Sequence, residues 1–209
     1  MEKKKLLKYW KNNIIRDERI LKVLEKVPRE NFILEEHKDY AYVDEPLPIL
    51  KGQTISQPTT VAFMTQALEP KKGQRILEIG AGSGYQAAIL SEIVGTKGKI
   101  ITVERIYELF EYAKDKLKDY SNVEVILGDG SKGYEKESPY DRIIVTAAAP
   151  NVPDPLFDQL KENGILLIPV GGGFFGQKML RVKKIKGKKE AENLGSFIFV
   201  PLIGEFGFK

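Results

Sequence analysis

Apolar residues recur at helical spacing from Lys3 to Val27. Leu6, Leu7 and Trp10 form one cluster, and Ile20, Leu21, Leu24 and Val27 form a second. Asp17 reads as an N-cap with Glu18 in the first turn, and Pro28 stops the second helix. The pattern predicts two amphipathic helices packed on the edge of a domain. Prolines then punctuate Tyr40–Ile49, and Lys51-Gly-Gln-Thr-Ile-Ser-Gln-Pro58 reads as a shaped loop leading into a helix over Thr59–Leu68. From Arg75 the period changes. Ile76, Leu77 and Ile79 suit a strand buried on both faces, and Lys99–Val103, Val123–Leu127, Tyr140–Val145 and Gly164–Val170 repeat that pattern. Helical stretches fall between them: one opening at Gln86, one over Ile106–Leu117, one over Pro153–Leu160. Strands alternating with helices predict an α/β fold with a doubly wound, mostly parallel, Rossmann-like sheet. Lys178–Ile185 and Ala191–Val200 add a C-terminal antiparallel hairpin turning at Lys186-Gly187-Lys188. Between strand and hairpin, Gly171-Gly-Gly-Phe-Phe-Gly176 reads as a flexible loop or a broad turn. One domain is expected over 1–209, divided into an N-terminal helical and loop subregion (1–57), a core (58–170) and a C-terminal β subregion (171–209).

The most informative stretch is Arg75-Ile-Leu-Glu-Ile-Gly-Ala-Gly-Ser-Gly-Tyr85. A strand running through a glycine loop into a helix is a nucleotide cradle, because glycine lets backbone N–H groups approach a ligand and the helix N-terminus adds its dipole. Its spacing is not the dinucleotide fingerprint: counting from Gly80 and Gly82, the last position of G-x-G-x-x-G/A is Tyr85. What stands here is Glu78-x-Gly80-x-Gly82-x-Gly84, which resembles the first motif of the class I S-adenosylmethionine-dependent methyltransferases. A carboxylate at that point suits ammonium and sulfonium charges and opposes a pyrophosphate. Glu104 ends the second strand, where an acid reads either as a ligand of ribose hydroxyls or as a surface charge. Gly128-Asp129-Gly130 after the third strand is either a plain turn or an acceptor for an exocyclic adenine amine. Ser56 or Thr59 reads as an N-cap of the following helix, a role compatible with lying beside a ligand. The small residues Ala147-Ala-Ala149 beyond the fourth strand leave room for one.

Composition trims the alternatives. The chain of 209 residues is 42% hydrophobic and 30% charged, ordinary for a globular protein. It has no Cys and one His, His37, which reads as solvated surface; disulfides, thiolate metal sites and a Cys nucleophile are excluded. No apolar run reaches the length of a membrane span, and the Lys-rich start is followed by no signal-type apolar core. A reducing cytoplasm is the expected compartment. Net charge is +4, too modest and too mixed to argue for nucleic acid. Abundant Lys, Glu and Ile with no Cys hint at a thermophilic source. The basic run Arg181, Lys183, Lys184, Lys186, Lys188 and Lys189 could touch phosphates, but it also fits the wet face of an edge hairpin.

Together these stretches resemble the protein-L-isoaspartate (D-aspartate) O-methyltransferases over nearly the whole chain. The residues that carry the resemblance are Val27-Pro-Arg29 with Phe32, Ala41-Tyr42 with Asp44, Pro46-Leu-Pro-Ile49 and Gly52-Gln-Thr-Ile-Ser56-x-Pro58. They continue through Glu78–Gln86, Gly128-Asp-Gly130, Tyr140-Asp141, Ala147–Pro150, Ile168–Gly171 and Val200-Pro-Leu202. The resemblance implies methyl transfer from S-adenosylmethionine to the free α-carboxylate of isoaspartyl, and D-aspartyl, residues in damaged proteins. The ester then closes to a succinimide that returns some normal aspartate. It further implies a catalytic Ser56, substrate contacts from Thr54 and Ser56, and cofactor contacts from Gln53, Thr54, Ile55, Ser56, Glu78, Gly80, Gly82, Glu104, Asp129 and Gly130, with no metal and with damaged proteins and peptides as partners. A monomer is expected, although no motif in the sequence fixes the oligomeric state. Thr59-Thr60 departs from the family pattern, and the short tail after Leu202 carries no transferable contact at Ile203 or Phe208. The rival readings are an RNA methyltransferase, a cofactor-binding module without catalysis, and a nicotinamide dehydrogenase, the last disfavoured by Tyr85 and Glu78.

Overall fold

The computed structural model describes residues 3–172 and 176–209. Two helices lead, α1 (Lys3–Asn13) and α2 (Glu18–Lys26), with Leu6, Trp10, Ile20 and Leu24 buried. Asp17 caps α2 by accepting from the Arg19 N–H, and Pro28 follows its end, as the sequence requires. A two-residue ladder pairs β1 (Leu47–Pro48) with β2 (Thr54–Ile55) and leads to α3 (Pro58–Leu68). The core follows as β3 (Arg75–Ile79), α4 (Tyr85–Val94), β4 (Lys99–Glu104), α5 (Tyr107–Lys116), β5 (Val123–Leu127) and β6 (Tyr140–Val145). It closes with α6 (Asp154–Asp158), β7 (Leu160–Gly171), β8 (Gln177–Ile185) and β9 (Lys188–Phe197).

The main sheet runs β5-β4-β3-β6-β7-β8-β9, with β5 through β7 parallel and β8 and β9 antiparallel. This is the expected fold: a mostly parallel sheet, N-terminal helices and a C-terminal hairpin. Strand order reverses beside β3. The chain leaves β3 towards β4 and β5, then returns to the other side as β6 and continues outward to β7. The crevice beyond the carboxyl ends of β3 and β6 is therefore the switch point where α/β sheets bind ligands.

Period-two alternation decides which residues reach that crevice. Ile76, Ile100 and Ile144 pack with the helices α1–α4 on one face, while Leu77, Ile79, Ile101, Val103, Ile143 and Val145 pack with Leu156 and Phe157 of α6 on the other. Two residues past each member of the first set stand Glu78, Thr102 and Thr146. All three thus lie on one face near the strand ends, with Glu78 opposite Thr102 in the β3–β4 register. Burying each large aliphatic residue contributes roughly 1.5–3 kcal/mol, so this alternation resists slipping by one position.

Several local expectations change. The helix expected over Pro153–Leu160 is only Asp154–Asp158, and the fifth strand starts at Leu160 rather than Gly164. Leu160 already pairs with Tyr140, and the ladder then shifts register before Ile165 meets Arg142, with Asn163 left-handed in between (φ 62°). The hydroxyl cap expected from Ser56 or Thr59 is absent: Gln57 is the N-cap of α3 and makes no side-chain cap. Asp44 serves instead, accepting from the Thr59 N–H at 2.9 Å and from the Thr59 hydroxyl at 2.7 Å, while Trp10 Nε1 donates to that hydroxyl. His37 is half-buried rather than fully solvated. The loop between β7 and β8 includes 173–175, which lie outside the described residues.

The basic run is largely consumed by the fold. Arg181 bonds Glu192 and Glu69, the Lys184 ammonium donates to the carbonyls of Phe157, Asp158 and Leu160, and Lys189 pairs with Asp154. Lys183 stands opposite Glu190 across the hairpin. Charges on β9 make a poor edge for accidental strand pairing.

Candidate active site

Gly80 leaves β3 at φ 92°. A Cβ there would stand 2.5 Å from the Thr146 hydroxyl oxygen, so both the backbone conformation and the close approach of the two strand ends demand glycine. Thr146 stitches those ends together: its N–H donates to Ile79 O, and its hydroxyl donates to the carbonyls of Ile79 and Gly80. The glycine loop is also tied sideways, because the Gly82 N–H donates to Glu104 Oε2 at 3.0 Å. Glu104 Oε1 accepts from the N–H groups of Arg105 and Ile106, just ahead of α5. At 6% exposure Glu104 is no surface charge. It fixes two turns at once and still lines the crevice.

Glu78 is fully buried. Its Oε2 accepts from the Thr102 hydroxyl at 2.6 Å, while Oε1 is buried with no hydrogen-bond partner among the described residues. Burial pushes its carboxyl up to about 8; the Thr102 bond opposes the rise and the nearby Glu104 charge adds to it. A half-satisfied buried carboxyl is costly unless a ligand supplies a donor or a positive charge.

Three adjoining cavities meet here. The first, about 150 Å³, lies over Ile79 and Val103, flanked by Gln53, Thr54, Gly80, Gly82, Glu104 and Gly130. The second, about 50 Å³, lies between Glu78, the glycine loop and Thr54-Ile55-Ser56, with Tyr85 in its wall. The third is an open cleft of about 760 Å³ lined by Ser56, Gln57, Thr59, Thr60, Phe63 and the segment Ser196–Val200. Thr54 and Thr146 border all three, and Ser56 borders the second and third. Ser56 is half-buried, and its hydroxyl makes no hydrogen bond to a described residue. The loop after β1 packs beside the glycine loop and α5: Ile49 lies against Gly82, and Lys51 pairs with Glu108 of α5 at 2.5 Å.

Of the residues expected from the sequence, Gln53 to Ser56, Glu78, Gly80, Gly82, Glu104 and Gly130 all border these cavities. Asp129 stands beside them with its side chain turned away. Its Oδ1 accepts from the Ser131 N–H and hydroxyl, and its Oδ2 accepts from the Glu205 N–H at 2.8 Å. Burial raises its carboxyl, but the bonds from Ser131 and the Glu205 backbone outweigh that and hold it below the usual range. Asp129 thereby anchors the C-terminal tail. That tail also pairs with the Ala148 backbone and brings Val200 to Ile203 into the first cavity wall. Neither the tail nor Thr146 was expected as part of the site. Position at the end of the fourth strand was the available signal for Thr146; nothing local marks Ile203.

The arrangement fits S-adenosylmethionine. An unpaired buried carboxyl oxygen on Glu78 awaits a cation, the loop offers backbone rather than side chains, and Glu104 faces an apolar floor suited to a nucleoside. The wide cleft next to Ser56 has room for a polypeptide, and no Lys, Arg or His lines it among the described residues.

Comparison with known proteins gives the same answer. The family model described as Protein-L-isoaspartate(D-aspartate) O-methyltransferase (PCMT) matches residues 1–207. A protein-L-isoaspartate O-methyltransferase of Methanococcus maripaludis strain C5 is 53% identical over 196 residues, covering 93% of this chain and 92% of the relative. One from Staphylothermus marinus is 49% identical over 218 residues, covering 100% of this chain and 96% of its own. A solved protein-L-isoaspartate O-methyltransferase is 32% identical with a TM-score of 0.90, over 99% of this chain and 67% of that one. A putative one from Plasmodium falciparum, in complex with S-adenosyl-L-homocysteine, is 28% identical with a TM-score of 0.83, over 96% of this chain and 97% of that one.

Proposed function

The chain belongs to the protein-L-isoaspartate(D-aspartate) O-methyltransferase family, and from that premise we propose how its own residues carry out the reaction. The protein is an enzyme that methylates isoaspartyl residues in damaged proteins, with S-adenosylmethionine as methyl donor. When bound, that cofactor supplies an electrophilic methyl group on a sulfonium that leaves as a neutral thioether. The acceptor is a carboxylate with a reference pKa of roughly 4, already ionised at neutral pH, so the chain has no proton to remove.

The residues therefore bind and aim. Glu78 would hold the ammonium of the cofactor on its unpaired oxygen. Glu104 accepts from the ribose hydroxyls with the capacity left after its three backbone bonds. The Gly130 backbone would meet the adenine ring, while Asp129, its carboxylate engaged by Ser131 and the Glu205 N–H, holds the tail that closes the wall. Gln53 to Ile55, which line the two small cavities, would hold the cofactor there. Ser56, assisted by Thr54, donates to one oxygen of the substrate carboxylate and turns the other towards the methyl. Holding two reactants in line can supply roughly 7–11 kcal/mol of the barrier. Among the described residues the cleft contributes no fixed cation that would neutralise the nucleophile.

The observation that carries this reading is the Ser56 hydroxyl, without a partner among the described residues, at the border between the cavity of Glu78 and the peptide-sized cleft. Ser56→Ala should lower kcat by about 10²-fold or more, as loss of alignment does, while S-adenosylhomocysteine affinity stays nearly constant. Equal loss in both, or neither, removes Ser56 from the reaction. A cytoplasmic, monomeric enzyme completes the proposal, supported for the compartment by the absence of Cys.

A further inference from the structure

Pro28 ends α2 and a short turn, Arg29–Phe32, carries Arg29 into the interior. Its side chain is 0% exposed, and all three guanidinium nitrogens are buried with no acceptor among the described residues. Burial lowers its pKa to about 10, so it remains charged at neutral pH. What it does touch is the ring of Tyr85, with the guanidinium carbon 5.4 Å from the ring centroid; Phe32 packs on the same ring at 5.5 Å. Tyr85 is the first residue of α4 and stands in the wall of the small cavity that holds Glu78 and Ser56. Arg29 is thus one layer behind that wall.

For stability alone this is a poor choice. A buried charge without hydrogen-bond partners is disfavoured, the Tyr85 ring with the nearby Tyr42 and the Asp44 charge compensates it only in part, and an apolar side chain of similar volume is neutral or better. Stability given up beside a reaction centre marks a residue kept for the reaction. We propose that Arg29 is a positioning residue: its guanidinium holds the Tyr85 ring from behind, and that ring sets the spacing between the glycine loop and Ser56. The inference rests on the reading of this cavity as the cofactor's.

The test compares R29M, R29K, Y85L and the R29M/Y85L pair by thermal melting, by calorimetric titration with S-adenosylhomocysteine, and by kcat and KM on an isoaspartyl peptide. R29M should melt at or above the temperature of the unaltered protein, yet lose kcat by about tenfold or more, as small misplacements of reacting groups do. S-adenosylhomocysteine should bind it several-fold more weakly, and the peptide KM should hardly move. R29K, which keeps the charge without the planar stack, should fall between. In the Y85L background R29M should add little, because Arg29 acts through the ring. An R29M enzyme with unchanged kcat overturns the proposal, as do losses that multiply in the double variant. If R29M does not fold, R29K decides: lowered kcat at an unchanged melt supports the proposal, and full kcat refutes it. Failure of the unaltered protein to bind S-adenosylhomocysteine would instead refute the cofactor reading beneath it.

Discussion

Replacing Glu78 by Gln probes the buried carboxyl on which the cofactor reading depends. Burial raises this group from 4.5 to about 8 in the folded chain. The native state therefore keeps a proton that the unfolded chain releases once the pH passes 4.5. Its contribution to stability is fully present below that value, is lost as pH rises towards 8, and then levels off. At about 1.4 kcal/mol per unit, the loss across the window amounts to a few kcal/mol, an upper bound because buried sites relax. Gln copies the neutral form. Glu78→Gln should melt like the unaltered protein near pH 5 and above it near pH 8.5, with the slope between removed. Ligand binding should do the reverse. An ammonium placed on Oε1 favours the charged carboxylate, so binding S-adenosylhomocysteine near pH 6.5 should release close to one proton. That release is measurable by calorimetry in buffers of different ionisation enthalpy. The variant should release none and bind roughly 10–100-fold more weakly, the worth of a hydrogen bond to a charged group. Parallel melting slopes, or equal affinity in both proteins, would refute the assignment.

Gly80→Ala places a methyl 2.5 Å from the Thr146 hydroxyl at a φ of 92°; the melt should drop by several degrees and S-adenosylhomocysteine binding should be lost, whereas normal binding would mean that the two strand ends separate freely. Asp129→Ala removes the acceptor for the N–H groups of Ser131 and Glu205; hydrogen exchange over 203–208 should accelerate and S-adenosylhomocysteine affinity should fall several-fold, while unchanged exchange would show the tail to be held by its backbone ladder alone. The low carboxyl of Asp129 gives the same contact a pH dependence: the anchor is present at neutral pH and is lost as pH falls through the depressed pKa, so exchange over this segment should quicken in acid.

The sequence made the central sheet and its carboxylates legible because both are written in short-range patterns. Ile76, Leu77 and Ile79 announce a strand buried on both faces, and the glycines after it leave few options for the turn. Glu104 could be placed by counting from the loop. Contacts made across the sequence left no such trace. Asp44 caps a helix that begins at Pro58, and nothing near Asp44 says so; the local rule assigned the cap to Ser56 or Thr59 instead. Ser56 is left without a partner among the described residues, at the border of two cavities. The tail that closes the first cavity lies some 75 positions from Asp129, its anchor (|i−j| = 76 for the Glu205 contact). Tyr85 entered as a residue that spoils a dinucleotide fingerprint and as one position of the motif Glu78–Gln86, without a role of its own, and the fold makes it a cavity wall. The basic run near the end was ambiguous until Arg181, Lys184 and Lys189 were found paired to Glu192, to carbonyls and to Asp154.

The central claim is methyl transfer to a carboxylate that exists only in isoaspartate. Two short peptides, identical except for Asp or isoaspartate at one position, should be incubated with the protein and S-adenosylmethionine carrying a labelled methyl group. Label entering the isoaspartyl peptide alone, and released as methanol at mildly alkaline pH, is the result this account predicts. Label in both peptides, or in neither while S-adenosylhomocysteine still binds, would contradict it.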